Sequence, residues 1–70
     1  MPIFLAPLNE EVTITHIHGD GKVIKHLQDL GLTTGAKVRV ISRDKGALIL
    51  YVFGSKLALD RDIAKAIVVS

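Results

Sequence analysis

The chain has no cysteine, no tryptophan, two prolines and three aromatic side chains, Phe4, Tyr51 and Phe53. Each shortage excludes something. Without cysteine there is no disulfide and no thiolate metal site, so no covalent staple holds the fold. The net charge is +2 with histidines neutral, and basic and acidic residues are interspersed. Neither a nucleic-acid arm nor a polybasic lipid patch is therefore visible. The longest apolar run, Ala47 to Phe53, is far short of the roughly 20 residues needed to span a bilayer. Met1 to Pro7 lack a basic n-region and are too short for a signal peptide. These absences lead us to expect a soluble, cytoplasmic protein.

What is present is apolar material: 49% of 70 residues. That argues against disorder and for one domain spanning residues 1–70. A domain of this size buries only about 60% of the surface its unfolded chain exposes. The core must be efficient, or an oligomer or partner must help.

Hydrophobic period divides the chain. Glu11 to His18 alternates, with Val12, Ile14, His16 and His18 on one face; Ile17 breaks the pattern and suggests a bulge or the strand end. Gly19-Asp20-Gly21 is a turn whose aspartate is placed to cap a helix. Lys22 to Leu30 then switches to helical spacing, with Val23, Leu27 and Leu30 on one side and Lys22, Lys25, His26 and Asp29 on the other. Gly31 stands at the C′ position, where a helix stop needs positive φ. The stretch Leu27 to Val40 thus reads as helix end, glycine stop, a tight turn containing Gly35, and a strand from Lys37 to Arg43. Asp44-Lys45-Gly46 is a further turn. Ala47 to Phe53 is a strand apolar on both faces. Gly54-Ser55 fits the centre of a type II′ hairpin turn. Lys56 to Leu59 is a short strand, Asp60 a candidate cap for one helical turn over Arg61 to Lys65, and Ala66 to Val69 a final strand.

The order β, α, β, β, β, helical turn, β, with tight hairpins and no parallel crossovers, predicts a mainly β fold: a small, strongly bent antiparallel barrel with one inserted helix over about 22–30. The expected core is Val12, Ile14, Val23, Leu27, Leu30, Val38, Val40, Leu48, Leu50, Val52, Leu57, Leu59, Ile63, Ile67 and Val69.

Leu27 to Gly31, Gly35-Ala36-Lys37-Val38, Leu57-Ala58-Leu59 and Ala64 to Val69, in this order and spacing, resemble the ferrous iron transport protein A (FeoA) family. The resemblance runs from about Leu8 to Val69. It implies an SH3-like barrel and a small cytoplasmic, non-enzymatic protein. Such a protein works with the membrane ferrous iron transporter, whose cytoplasmic GTPase part is the expected partner. Related domains form the C-terminal part of metal-dependent repressors. The chain departs from the family pattern at His26, where arginine is usual, at Thr34, where proline is usual, and at Asp60, where arginine is usual and Arg61 stands next to it. The hairpin at Asp44 to Gly46 is also shorter than usual.

Several constellations bear on function. Ile49, Tyr51 and Phe53 form a row at strand spacing: either a partner surface, with the exposed helix residues Lys25, His26 and Asp29 next in line, or a second small core under the helix or under Ile3, Phe4 and Leu5. His16 and His18 project from one strand face, and imidazole suits divalent iron, zinc and nickel. Two histidines fall below the ligand count of a defined site, even with Asp20 or His26 nearby, so exposed strand-end histidines are the expectation and no metal site is assigned. Lys37, Arg39 and Arg43 share a strand; with so few aromatics for stacking, a solvated face is favoured over an RNA-binding one, and no nucleic-acid partner is expected. Ser42, Ser55 and Ser70 have no histidine motif beside them, Glu10 and Glu11 form no defined pair, and Gly19 and Gly21 lack a phosphate-loop fingerprint. No catalytic residue, cofactor or membrane insertion is expected. Gly31, Gly35 and Gly54 are assigned to turn geometry. The functional expectation is an accessory or regulatory component of ferrous iron uptake. A metal-sensing domain separated from its repressor and a small RNA-binding barrel are the alternatives, and a homodimer is left open.

Overall fold

The computed structural model describes residues 1–44 and 46–70. A short 3-10 turn, Ile3–Leu5, comes first. Strand β1 (Glu11–Ile17), helix α1 (Gly21–Asp29), strands β2 (Lys37–Arg43), β3 (Ala47–Val52) and β4 (Ser55–Asp60), a one-turn helix α2 (Arg61–Ala64) and strand β5 (Ile67–Val69) follow. Apart from the 3-10 turn, this is the element order the sequence predicts. The strands form one antiparallel sheet in the order β4-β3-β2-β1-β5, curled into an SH3-like barrel.

Two bulges supply the bend. One falls in β1 between Ile14 and His16 against β5, the other in β2 between Val40 and Ser42 against β3. Each adds a residue to one strand and sharpens the local twist, which lets short strands wrap a small core. The bulge in β1 comes earlier than the break in alternation at Ile17, which closes the strand.

The inner faces alternate as expected: Val12 and Ile14, Val38 and Val40, Leu48, Leu50 and Val52, Leu59, then Ile67 and Val69 are buried, with Leu27 of α1. Ile3, Ala6, Leu32, Ala64 and Ala66 are buried as well. Val23, Leu30, Leu57 and Ile63, expected inside, are half-buried against the core instead. A nine-residue helix offers one narrow stripe, and in α1 only Leu27 reaches full burial.

The helix ends show how local sequence sets structure. Asp20 caps α1 by accepting from the Val23 amide at 3.0 Å. At the other end Gly31, at φ +84°, donates to Gln28 O at 2.9 Å, and Leu32 donates to Leu27 O at 2.8 Å. These are the paired bonds of a Schellman stop, and the two leucines that frame it, Leu27 and Leu32, are both fully buried. The chain then turns through Thr33 to Ala36, closed by the Ala36 amide on Thr33 O at 3.0 Å, with Gly35 at φ +95° in the third position. That is a type II turn, which calls for glycine there. Thr34 fills the position where proline would preset φ.

Two local expectations are corrected, and a third lies partly outside the described residues. The β3–β4 hairpin turns on Phe53-Gly54, not Gly54-Ser55. Val52 pairs with Ser55, and φ is +52° at Phe53 and +80° at Gly54. Two successive positive φ values mark a type I′ turn, whose twist matches the strands, so Phe53 leaves β3 and becomes a turn residue. Asp60 stands at the N-cap of α2 but makes no side-chain cap bond. The turn expected at Asp44-Lys45-Gly46 lies partly outside the described residues, at Lys45; Asp44 and Ala47 exchange backbone bonds across it, at 2.9 and 3.4 Å.

The N-terminal segment covers one sheet edge. The Met1 amino group donates to Val69 O at 2.8 Å, Val69 donates to Met1 O at 2.7 Å, and Pro2 bridges Val68. Strand β5 is thereby protected from edge-to-edge association.

Candidate partner-binding site

The row on β3 splits at the end of the strand. Ile49 is half-buried, Tyr51 is 43% exposed and Phe53 is 75% exposed. Ile3, one of the residues offered above as cover for this row, is instead buried in the main core. Phe53 is the most exposed large apolar side chain of the described residues, and its backbone is left-handed, a conformation unfavourable for an aromatic residue. The rim of its ring rests on Gly31: an added Cβ there would lie 2.9 Å from Phe53 Cε2. The hairpin tip thus meets the C-terminal end of α1. A hollow of about 170 Å³ beside Tyr51 and Phe53 is also lined by Glu11, Lys37 and Arg39.

On α1, Lys25, His26 and Asp29 are exposed. Lys25 and Asp29 approach at 3.5 Å as an i, i+4 pair. In this exposed setting the pair adds little stability. Asp29 stands two residues before Gly31, whereas Lys25 lies about 6 Å further back along the helix axis at 1.5 Å per residue. The hairpin tip therefore meets the chain just beyond the Asp29 end of the helix, at Gly31. His26 turns toward β4 and lines, with Leu30, Leu57, Ala58 and Ile63, a groove of about 340 Å³. Sequence reading missed this groove. Its one local signal is Ala58, a small exposed residue between two leucines.

The remaining constellations come apart. Arg39 donates to Asn9 O at 3.2 Å and Arg43 donates to Phe4 O, so both are tied to the N-terminal segment. The bulge in β2 also shifts Arg43 into register with Leu48, whereas Arg39 pairs with Tyr51. The basic stripe expected along β2 is thus interrupted. His16 and His18 are exposed, with ring centroids 4.4 Å apart in an edge-to-face arrangement. Asp20 is committed to the helix cap. Among the described residues no three His, Cys, Asp or Glu side chains gather as a metal site, and no helix is long and apolar enough to cross a membrane.

A curled five-stranded sheet with a helix inserted between its first two strands, and with its distinguishing side chains on the outside, defines an SH3-like barrel domain. The sequence pattern of the FeoA domain matches residues 1–70, and the chain belongs to the FeoA family, a family of small accessory transport proteins. It is 31% identical over 68 residues to a protein of Methanocaldococcus jannaschii named "Putative Fe(2+) transport protein A", covering 97% of this chain and 83% of that one. The fold superimposes on an iron uptake regulatory protein (FeoA) with a TM-score of 0.89 at 23% identity, covering 99% of this chain and 93% of that one. It also superimposes on FeoA from Chlorobium tepidum with a TM-score of 0.85 at 25% identity, covering 99% and 68%. It matches IdeR of T. acidophilum with a TM-score of 0.88 at 24% identity, covering all of this chain but 33% of that one, a likeness of fold.

Proposed function

We propose that this chain is an accessory or regulatory protein of ferrous iron uptake that docks on the cytoplasmic GTPase part of the membrane ferrous iron transporter. The docking face is the hairpin row Ile49, Tyr51 and Phe53, extended by Lys25, His26 and Asp29. One observation carries this reading: Phe53 is 75% exposed and held at φ +52°. Exposure of an aromatic ring and a left-handed backbone both cost folding free energy, and strain of this kind tends to persist where it serves a site. A buried aromatic anchor is also the residue type that dominates protein interfaces. The face acts by binding, and its effect on the transporter is through assembly or coupling to the GTPase.

The test is capture of this protein by the transporter's cytoplasmic domain. Tyr51→Ser with Phe53→Ser should abolish capture in a protein that keeps its circular dichroism. Retained capture would exclude the face. A metal-sensing role predicts instead that ferrous iron, zinc or manganese binds stoichiometrically in a titration, whereas the accessory reading predicts weak binding without preference.

A further inference from the structure

Strand β4 ends the sheet, and among the described residues no strand flanks it on its outer side. Its ladder with β3 runs from Val52–Ser55 to Ala47–Asp60. In a two-residue hairpin the first pair is hydrogen-bonded and bonded pairs then alternate, so Ser55, Leu57 and Leu59 bond to β3. The amides and carbonyls of Lys56 and Ala58 and the amide of Asp60 consequently point outward, away from the sheet. The opposite edge, on β5, is covered by Met1 and Pro2; beside β4 lies instead the groove that His26, Leu30 and Ile63 line with Leu57 and Ala58.

We propose that the β4 edge pairs with β4 of a second copy of this chain, antiparallel about a two-fold axis through Ala58. The sequence Ser55-Lys56-Leu57-Ala58-Leu59-Asp60 is self-complementary in that register. Ala58 faces Ala58, Leu57 faces Leu59, and Lys56 faces Asp60 of the second copy on both sides of the axis. Lys56, Ala58 and Asp60 share the exposed face of the strand. Neither Lys56 nor Asp60 forms an ion pair among the described residues. A lysine on a free edge normally discourages pairing; here the two-fold places an aspartate opposite it, and opposite charges across a pair favour the ladder. Leu57 and Leu59 point to the other face, beside the groove of about 340 Å³ lined by Leu30, Leu57 and Ile63. Leu59 is buried in its own core, so it is the half-buried Leu57 of the second copy that falls next to that groove. Ala58 at the centre leaves two exposed faces free to approach. The contact is isologous, as a closed dimer requires, and a single short ladder makes a weak, concentration-dependent one.

Sedimentation equilibrium over a range of concentrations tests this. The wild-type chain should show a monomer–dimer equilibrium. Ala58→Pro should weaken it by roughly tenfold or more, because it removes an outward donor from the centre of the ladder. Circular dichroism should show that this variant is folded, since that donor bonds nothing within the chain. Lys56→Asp alone should weaken the dimer by roughly tenfold, and Lys56→Asp with Asp60→Lys should restore it to within about threefold, a rescue that does not depend on the proline variant. Tyr51→Ser with Phe53→Ser should leave the dimer unchanged, which separates this edge from the hairpin end of the docking face. A wild-type chain that stays monomeric at the highest concentration overturns the proposal. So does a dimer indifferent to Ala58→Pro, or a charge swap that fails to restore association.

Discussion

Gly31 lies under the ring of Phe53, with 2.9 Å between Phe53 Cε2 and the place where a Gly31 Cβ would stand. The helix stop and the hairpin tip are therefore fitted to each other. Gly31→Ala should cost roughly 1–2 kcal/mol, since a side chain at φ +84° is strained. The clash with the ring adds to this. In a domain of this size each kcal/mol lowers Tm by about 4–8 °C. Adding Phe53→Ser should recover the clash but not the backbone cost, so partial rescue in thermal unfolding is the expected result. Full rescue, or none, would contradict this division.

Phe53 itself occupies the first central position of a type I′ turn, where asparagine and glycine are the favoured residues. Phe53→Asn should raise Tm or leave it unchanged while reducing capture by the transporter domain at least tenfold, about 1.4 kcal/mol of binding. A stability gain coupled to loss of binding is the mark of strain kept for function. A variant that loses stability and still binds fully would assign Phe53 to the fold.

Leu32 is fully buried at the end of the Schellman stop, next to Leu27 in the chain's own bonding. Leu32→Ala should cost about 2–5 kcal/mol in chemical denaturation, as for other buried leucines. In so small a domain that is much of the total stability, and the variant is expected to be partly unfolded at 37 °C.

The Asp20 carboxylate accepts the Val23 amide at 3.0 Å, and α1 is too short to persist unaided. Asp20→Ala should cost about 1 kcal/mol. Amide exchange should rise first at Val23 and its neighbours in the opening turn.

His16 and His18 are exposed and held by no third ligand group among the described residues. His16→Ala with His18→Ala should leave both Tm and ferrous iron transport unchanged. Loss of transport with a folded, abundant variant would show that the pair has a role of its own.

How far the sequence could be read is clearest at the turns. Asp20, Gly31 and Gly35 act through bonds and dihedral angles spanning a few residues, and each stands in the predicted role. The strand faces of β1 up to Ile14 and of β2 up to Val40 were legible for the same reason: side chains alternate every residue until a bulge intervenes. Ala47 to Val52 shows the boundary of this logic. Both of its faces are apolar, so period alone assigns the pairs Leu48 and Leu50, and Ile49 and Tyr51, to opposite sides without saying which side is inside. Burial of Leu48 and Leu50 at 0% exposure settles it, and that depends on the core they share with residues far along the chain, Ile14, Leu27 and Ile67 among them.

Phe53 was misplaced by the same limit. As a residue it favours strands, and only the pairing of Val52 with Ser55 puts it in the turn. Ile3 and Ala6 sit in a segment without periodicity and are buried by contacts far along the chain. The edge status of β4 belongs here too, since strand order is a property of long-range pairing.

By itself the sequence determined the order of strands and helices, the helix cap and stop, the turn at Gly35 and the family, because these rest on local dihedral preference, short hydrogen bonds and ordered spacing. The tertiary structure alone decided which apolar face is the core, that Phe53 is held out on a strained turn against Gly31, and which strand keeps a free edge, because burial and pairing are set by what distant segments cover.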